Sequence, residues 1–175
     1  VQALYNIVDS MFVAKLSESA LTAVSLAFPV QNLMIAVGTG TGVGINALVS
    51  RALGEKKNEY ANSAANNGIY LAIFSFIGFA IVCGLFAPAF FSVQTSDPQI
   101  LEYGVDYVRV IGIMSFGLFI QLVCEKLLQS TGKTMYTMIT QSLGAVINIV
   151  MDPMLIFGIG FFPKMGIAGA ALATG

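Results

Sequence analysis

The chain has 175 residues, of which 57% are hydrophobic and only 10% charged, and its mean hydropathy is +0.83. Soluble domains usually carry about 25% charged residues, so this composition predicts an integral membrane protein. The net charge is −1 and His is absent, which argues against nucleic-acid binding. His is absent and both cysteines lie in apolar runs, so the sequence also argues against a zinc site or a disulfide.

Helix one is predicted to run from Val1 to about Leu16. Because the chain starts without Met or a charged leader and stops in another apolar stretch, we expect a fragment with no signal peptide and no soluble domain. Gln2, Tyr5 and Asp9 follow the 3.6-residue period and share one helix face. Lipid disfavours such a polar stripe, so it is expected to face protein or water.

The second helix is predicted after a polar turn at residues 15–19 and extends from Ala20 to about Leu53. At 1.5 Å per residue its length is roughly 50 Å, which exceeds a hydrocarbon core of about 30 Å, so the helix must tilt or project. Pro29 permits a kink. Four alternate glycines favour close helix packing over a flexible hinge. They are Gly38, Gly40, Gly42 and Gly44.

Two further helices are predicted at residues 61–90 and 100–130, with a turn at residues 92–99 between them. Three asparagines near the start of the third helix are interpreted as capping residues. They are Asn62, Asn66 and Asn67. In the first turns of the fourth helix, Asp106 and Arg109 are three residues apart and are expected to form an ion pair.

The fifth helix, predicted at residues 135–161, carries Asn148 and Asp152 inside a long apolar run. A carboxylate near the centre of a spanning helix costs roughly 2.5–3.5 kcal/mol on insertion scales, so it must be paired, protonated or bound to a cation. Pro153 also removes one backbone donor and leaves one helical carbonyl without its usual partner. We therefore predict that Asp152 and Asp9 share one ion site.

The distribution of Lys and Arg predicts the orientation, because five basic residues flank the turns on one side and two flank those on the other. The side with five, predicted to be cytoplasmic, has Arg51, Lys56, Lys57, Lys126 and Lys133, and the outer side has Lys15 and Lys164. With a sixth helix opening at residue 166, polar groups on four helices fall roughly 10–12 Å inside the outer helix ends. They are Asp9, Tyr107, Asp152 and Thr174. This common depth predicts a polar cavity in the outer half of the membrane.

Three stretches resemble the multidrug and toxic compound extrusion (MATE) transporters. They are residues 2–9 (QALYNIVD), residues 20–29 (ALTAVSLAFP) and residues 148–153 (NIVMDP). The resemblance covers essentially the whole chain. It implies an all-α polytopic fold in which residues 1–175 form part of the amino-terminal six-helix lobe of a twelve-helix transporter, from late helix one to early helix six.

The resemblance also implies a function and a site. A MATE transporter of the plasma membrane exports organic, often cationic, compounds while Na⁺ or H⁺ enters, and needs no other cofactor. The implied cation or proton site consists of Asp9, Asn148, Asp152 and Thr174, with Gln2, Tyr5 and Tyr107 in the supporting network. Oxygen ligands of this kind suit Na⁺. The partners implied are small-molecule drugs, the lipid bilayer and the missing carboxy-terminal lobe.

Three other functions compete with efflux antiport. A lipid-linked oligosaccharide flippase of related fold would line its cavity with several Arg and Lys, and only Arg109 is a candidate here. A passive channel needs a ring of repeated polar groups, which one lobe does not show. An intramembrane enzyme needs a nucleophile and base or a metal site, and without His no HExxH-type motif exists. The sequence therefore favours an antiporter that is not an enzyme, with the flippase as the alternative.

Overall fold

The apolar stretches form six α-helices in a computed structural model, which describes the backbone of residues 2–160 and 163–174 and the side chains of residues 7–8, 10–160 and 163–173. The helices are α1 (Gln2–Ala14), α2 (Glu18–Gly54), α3 (Asn58–Gln94), α4 (Pro98–Ser130), α5 (Thr134–Phe157) and α6 (Ile167–Thr174). The described part of the chain contains no strand, and α2 to α5 are each long and apolar enough to cross a membrane. The predicted all-α polytopic fold is therefore confirmed.

The centre of the lobe is the contact between α2 and α4, and α3 packs against both. Helices α2 and α4 run parallel, because their starts lie side by side and so do their later turns. Ser19 Oγ lies 3.5 Å from Gln99 Oε1 near the two helix starts, and a Cβ added to Gly42 would lie 2.8 Å from Lys126 Cγ further along. The remaining helices, α1, α5 and α6, pack together on one side of this centre, where α6 also contacts α4.

The glycines of α2 lie on two different faces of the helix. A Cβ added to Gly38 would lie 2.6 Å from Leu122 Cδ1, and Gly42 approaches α4 almost as closely. Gly40 and Gly44 have no atom within 4 Å of the corresponding position. The prediction of close packing therefore holds for Gly38 and Gly42, whereas Gly40 and Gly44 face open space.

Side chains cap the starts of α2 and α4 but not those of α3 and α5. Ser17 Oγ accepts the backbone N–H three residues on at 3.0 Å, and Asp97 Oδ1 accepts the N–H two residues on at 2.9 Å. Helices α3 and α5 follow Lys57 and Lys133, and neither N-terminus has a side-chain cap. The prediction that three asparagines cap the third helix is wrong, because α3 begins earlier and these residues are exposed within it. They are Asn62, Asn66 and Asn67.

Two further predictions differ from the structure. The fifth helix ends at Phe157 rather than at residue 161, because Gly158 adopts a left-handed conformation with φ 71° and stops it. The helix start predicted at residue 1 lies outside the described residues. Asp106 and Arg109 do not pair, since both are exposed on α4 and an exposed pair gains little in high dielectric. The ion pairs among the described residues are Arg51–Glu55, Lys57–Glu55 and Lys126–Glu125.

The turns that join α2 to α3 and α4 to α5 share one backbone motif. The N–H groups of Lys56 and Lys57 donate to carbonyls in the last turn of α2 at 3.1 and 2.9 Å. Those of Gly132 and Lys133 make the equivalent bonds to α4 at 3.0 and 3.2 Å. This Schellman pattern requires a left-handed residue directly after the cap. Glycine occupies that position in the second turn, with φ 80°, but Lys56 occupies it in the first, with φ 57°.

Lys56→Gly is expected to stabilise the protein by about 1 kcal/mol, because a residue with a Cβ pays a steric cost in the left-handed region that glycine avoids. Gly132→Ala is expected to destabilise it by a similar amount. No atom lies within 4 Å of the position of that Cβ, so the backbone conformation alone sets the cost. Equilibrium unfolding of the full-length protein in detergent measures both changes, and changes of the same sign would contradict this account.

Candidate functional site

The candidate site is built on α5, where Asn148 and Asp152 lie four residues apart and therefore on one helix face. Both side chains are buried, and Asp152 has 0% of its surface exposed. The helix around them packs against α1, α4 and α6. A carboxylate and an amide thus lie together inside the lobe, on a helix long and apolar enough to cross the membrane.

The amide of Asn148 has one satisfied end and one free end. Its Nδ2 donates to the carbonyl oxygen of Ala173 at 2.9 Å, which ties α5 to α6. This bond fixes the orientation of the amide, so that Oδ1 points elsewhere. Oδ1 is buried and accepts no hydrogen bond from the described residues. Buried acceptors are nearly always bonded. This oxygen is therefore suited to coordinate a cation or to accept a hydrogen bond from a ligand.

Close backbone contact holds α6 against the end of α5. A Cβ added to Gly169 would lie 2.6 Å from the carbonyl oxygen of Leu155, which is nearer than side chains approach in proteins. The segment before α6 folds back on the same turn, since Met165 N donates to Leu155 O at 3.0 Å and Gly166 N donates to Ile156 O at 3.3 Å. The absence of a side chain at Gly169 therefore sets the distance between the two helices.

The structure brings together the four helices that carry the predicted site residues. The predicted set is Gln2, Tyr5 and Asp9 on α1, Tyr107 on α4, Asn148 and Asp152 on α5, and Thr174 on α6. α1 contacts both α5 and α6, and α4 contacts both as well. Tyr107 is buried, with 1% of its surface exposed. The side chains of Gln2, Tyr5, Asp9 and Thr174 lie outside the described residues, so their participation stays a prediction.

A cavity of about 350 Å³ opens between the starts of α2 and α6 and the first turns of α4. Its polar lining includes Tyr103, Asp106 and Lys164. Asp106 precedes the buried Tyr107 directly in α4. Sequence reasoning missed this cavity, because its walls come from three segments that are far apart in the chain.

The donor set can hold a hard cation. Asn148 Oδ1 and the Asp152 carboxylate supply oxygen atoms, the ligand type that Na⁺ prefers over softer metals. Burial disfavours the charged form of a carboxylate, so binding a cation or a proton would relieve the desolvation of Asp152. Pro153 adds a third polar group, because its missing N–H leaves the carbonyl of Ile149 without a helical partner.

The sequence profile of the MatE family matches residues 1–154. The chain is 29% identical over 170 residues to a protein named FAD transporter from Shewanella oneidensis, and the match covers 97% of this chain and 38% of that protein. It is 28% identical over 172 residues to the multidrug export protein MepA from Staphylococcus haemolyticus, covering 98% of this chain and 37% of MepA.

A solved structure agrees with these matches. The inward-facing conformation of a multidrug resistance MATE family transporter superposes with a TM-score of 0.92 at 31% identity, covering 99% of this chain and 39% of that one. The chain thus spans well under half of the length of its relatives. The profile match, the relatives and the superposition all identify transporters rather than enzymes, and we conclude that the chain belongs to the MatE family of multi-pass membrane transporters.

Proposed function

We propose that residues 1–175 form the amino-terminal lobe of an efflux antiporter of the plasma membrane. The whole protein would export organic, often cationic, compounds while Na⁺ or H⁺ enters, and a carboxy-terminal lobe would complete its substrate site. The multidrug export relatives support small-molecule transport. The observation that supports ion coupling is the fully buried carboxylate of Asp152, one helical turn from the free amide oxygen of Asn148.

The proposed ion site consists of Asp9, Asn148, Asp152 and Thr174, with Gln2, Tyr5 and Tyr107 as its supporting network. Two acids in one buried site cannot both remain charged without compensation, so they take up either a proton or a cation. Na⁺ or H⁺ is in this scheme a transported ion and not a resident cofactor. The same site therefore serves either coupling ion.

The hydrogen bond from Asn148 to Ala173 suggests how ion binding reaches the rest of the lobe. When an ion recruits the free Oδ1 of Asn148, it acts on the same amide whose Nδ2 holds α6. Ion binding is thereby linked to the packing of α5 against α6. An ion that favours one packing and a drug that favours another would exchange with each other without binding at the same point.

The structure does not favour the flippase alternative, because the basic residue that could bind a pyrophosphate, Arg109, does not lie inside the lobe. Arg109 is exposed on α4, whereas a flippase would need several cations inside its cavity to bind a pyrophosphate. The described interior around Asp152 instead offers carboxylate and amide groups.

Transport by the purified full-length protein in proteoliposomes tests the proposal. A Na⁺ gradient and a pH gradient are imposed separately, and the movement of a fluorescent organic cation and of FAD is measured. We expect one of the two gradients to drive cation export by at least about tenfold over the rate without a gradient. Equal rates with and without both gradients would contradict antiport, and FAD movement without cation movement would contradict the proposed substrate class.

A further inference from the structure

The turn between α2 and α3 carries a concave and positively charged surface. A cavity of about 300 Å³ lies there, lined by Leu48, Arg51, Ala52, Glu55, Lys57 and Tyr60. The distribution of Lys and Arg predicts that this turn is cytoplasmic. α2 has 37 residues and is about 55 Å long, against about 40–45 Å for a bilayer with its headgroups. The last turns of α2 are therefore expected at headgroup level.

One carboxylate holds two cations at the rim of this cavity. Glu55 Oε1 accepts from Arg51 Nε at 2.9 Å, and Oε2 accepts from Lys57 Nζ at 2.7 Å. The hydrogen bonds from Lys57 and Arg51 lower the pKa of Glu55, so the arrangement persists through neutral and mildly acidic pH. The Arg51 and Lys57 side chains remain 80% and 65% exposed. The terminal guanidinium nitrogens and two ammonium protons are thus available to a second anion.

The cavity combines this charge with an apolar wall. Ala52 and Leu48 lie about one and two turns before the cap of α2 and form the apolar part of the lining. Tyr60, at the opposite wall, places a hydroxyl-bearing ring at the level where aromatic residues meet headgroups. A ligand that fits such a site has an anionic head and an apolar tail.

The adjoining helix starts add to the positive potential. α3 begins directly after Lys57 and has no side-chain cap, so its first N–H groups remain open to an acceptor. The starts of α2 and α4 are by contrast capped by the side chains of Ser17 and Asp97. The uncapped starts thus lie on the side where anionic lipid headgroups are expected.

We propose that the cavity formed by Arg51, Lys57 and Tyr60 binds the phosphate of an anionic phospholipid in the cytoplasmic leaflet. The phosphate accepts from the guanidinium and the ammonium, while the first acyl carbons lie along Leu48, whose side chain is exposed. Lipid binding at this site does not depend on the antiport activity or on the ion site.

Native mass spectrometry of the delipidated full-length protein, titrated with phosphatidylglycerol or phosphatidylcholine, tests the proposal. The wild type is expected to retain phosphatidylglycerol preferentially. The double variant Arg51→Gln/Lys57→Gln is expected to bind it about 30-fold more weakly, because each of the two basic contacts contributes about 1 kcal/mol. The control variant Lys15→Gln/Lys164→Gln removes the same charge from the outer side and is expected to bind within about twofold of the wild type.

Three results would overturn the proposal. An equal loss in the control variant would show a general charge effect, and equal retention of both lipids would show no anion site. Full competition by glycerol 3-phosphate would assign the cavity to a soluble phosphate. A melting temperature in detergent that matches the wild type shows that the double variant is folded, and the exchange Arg51→Lys/Lys57→Arg, which keeps both charges, is expected to keep the lipid preference.

Discussion

Asp152→Asn in the full-length transporter is expected to abolish drug efflux while the protein still inserts at normal levels. Asn has nearly the same shape as Asp, so it preserves the packing of a side chain that is completely buried. It removes the charge that would hold the coupling cation or proton, and an amide cannot be protonated at physiological pH. Drug resistance and dye efflux in cells, normalised to the amount of membrane protein, measure the effect.

The control is Glu102→Gln, which likewise replaces a carboxylate with an amide, on an exposed side chain of α4. This variant is expected to retain most of its efflux. Normal resistance in cells that carry wild-type amounts of Asp152→Asn would rule out the proposed role of the carboxylate. Equal loss in both variants would show that efflux responds to any reduction in negative charge.

Gly169→Ala is expected to reduce transport at least about tenfold, because its Cβ would lie 2.6 Å from the carbonyl oxygen of Leu155. The atom met is backbone, so the helices must separate rather than a side chain rotate. Such overpacking typically costs about 1–3 kcal/mol. Displacement of α6 would also stretch the bond from Asn148 to Ala173. Transport in proteoliposomes and the melting temperature in detergent report the two effects.

Gly44→Ala serves as the matched control within a helix. Its Cβ would have no neighbour within 4 Å, and Ala has the higher helix propensity. We expect unchanged transport and equal or slightly higher stability. If both variants lose activity to the same degree, the close contact of α5 with α6 is not the cause.

The number, order and type of the helices could be predicted from the apolar stretches, because α2 to α5 are each long enough to bury their own backbone bonds in lipid. The helix ends were less predictable. The sequence shows the same apolar run on both sides of Gly158, and only the left-handed backbone at that residue ends α5. The three asparagines of α3 are of a type that favours a cap, but α3 begins at Asn58, before all of them, and its start has no side-chain cap.

Only the parts of the candidate site that consist of polar side chains could be predicted from the sequence. Asn148 and Asp152 are recognisable from one short stretch, since polar groups in a spanning helix are costly. The partner of Asn148 is the main-chain oxygen of Ala173, 25 residues away, and no residue type indicates such an acceptor. Gly169 is likewise one of many glycines, and only the distance to Leu155 distinguishes it from Gly44.

The parallel contact between α2 and α4 has a consequence for the order in which the lobe forms. Residues that meet across this contact, such as Ser19 and Gln99, are 80 positions apart in the chain. At about 5–20 residues synthesised per second, roughly 4–16 s separate the emergence of the two partners. During this interval the Gly38 and Gly42 face of α2 remains uncovered, while the nearer contact of Gly68 with Ile45 can already form. The α2–α3 hairpin is thus expected to enter the membrane as the first folded unit, on which α4 then closes.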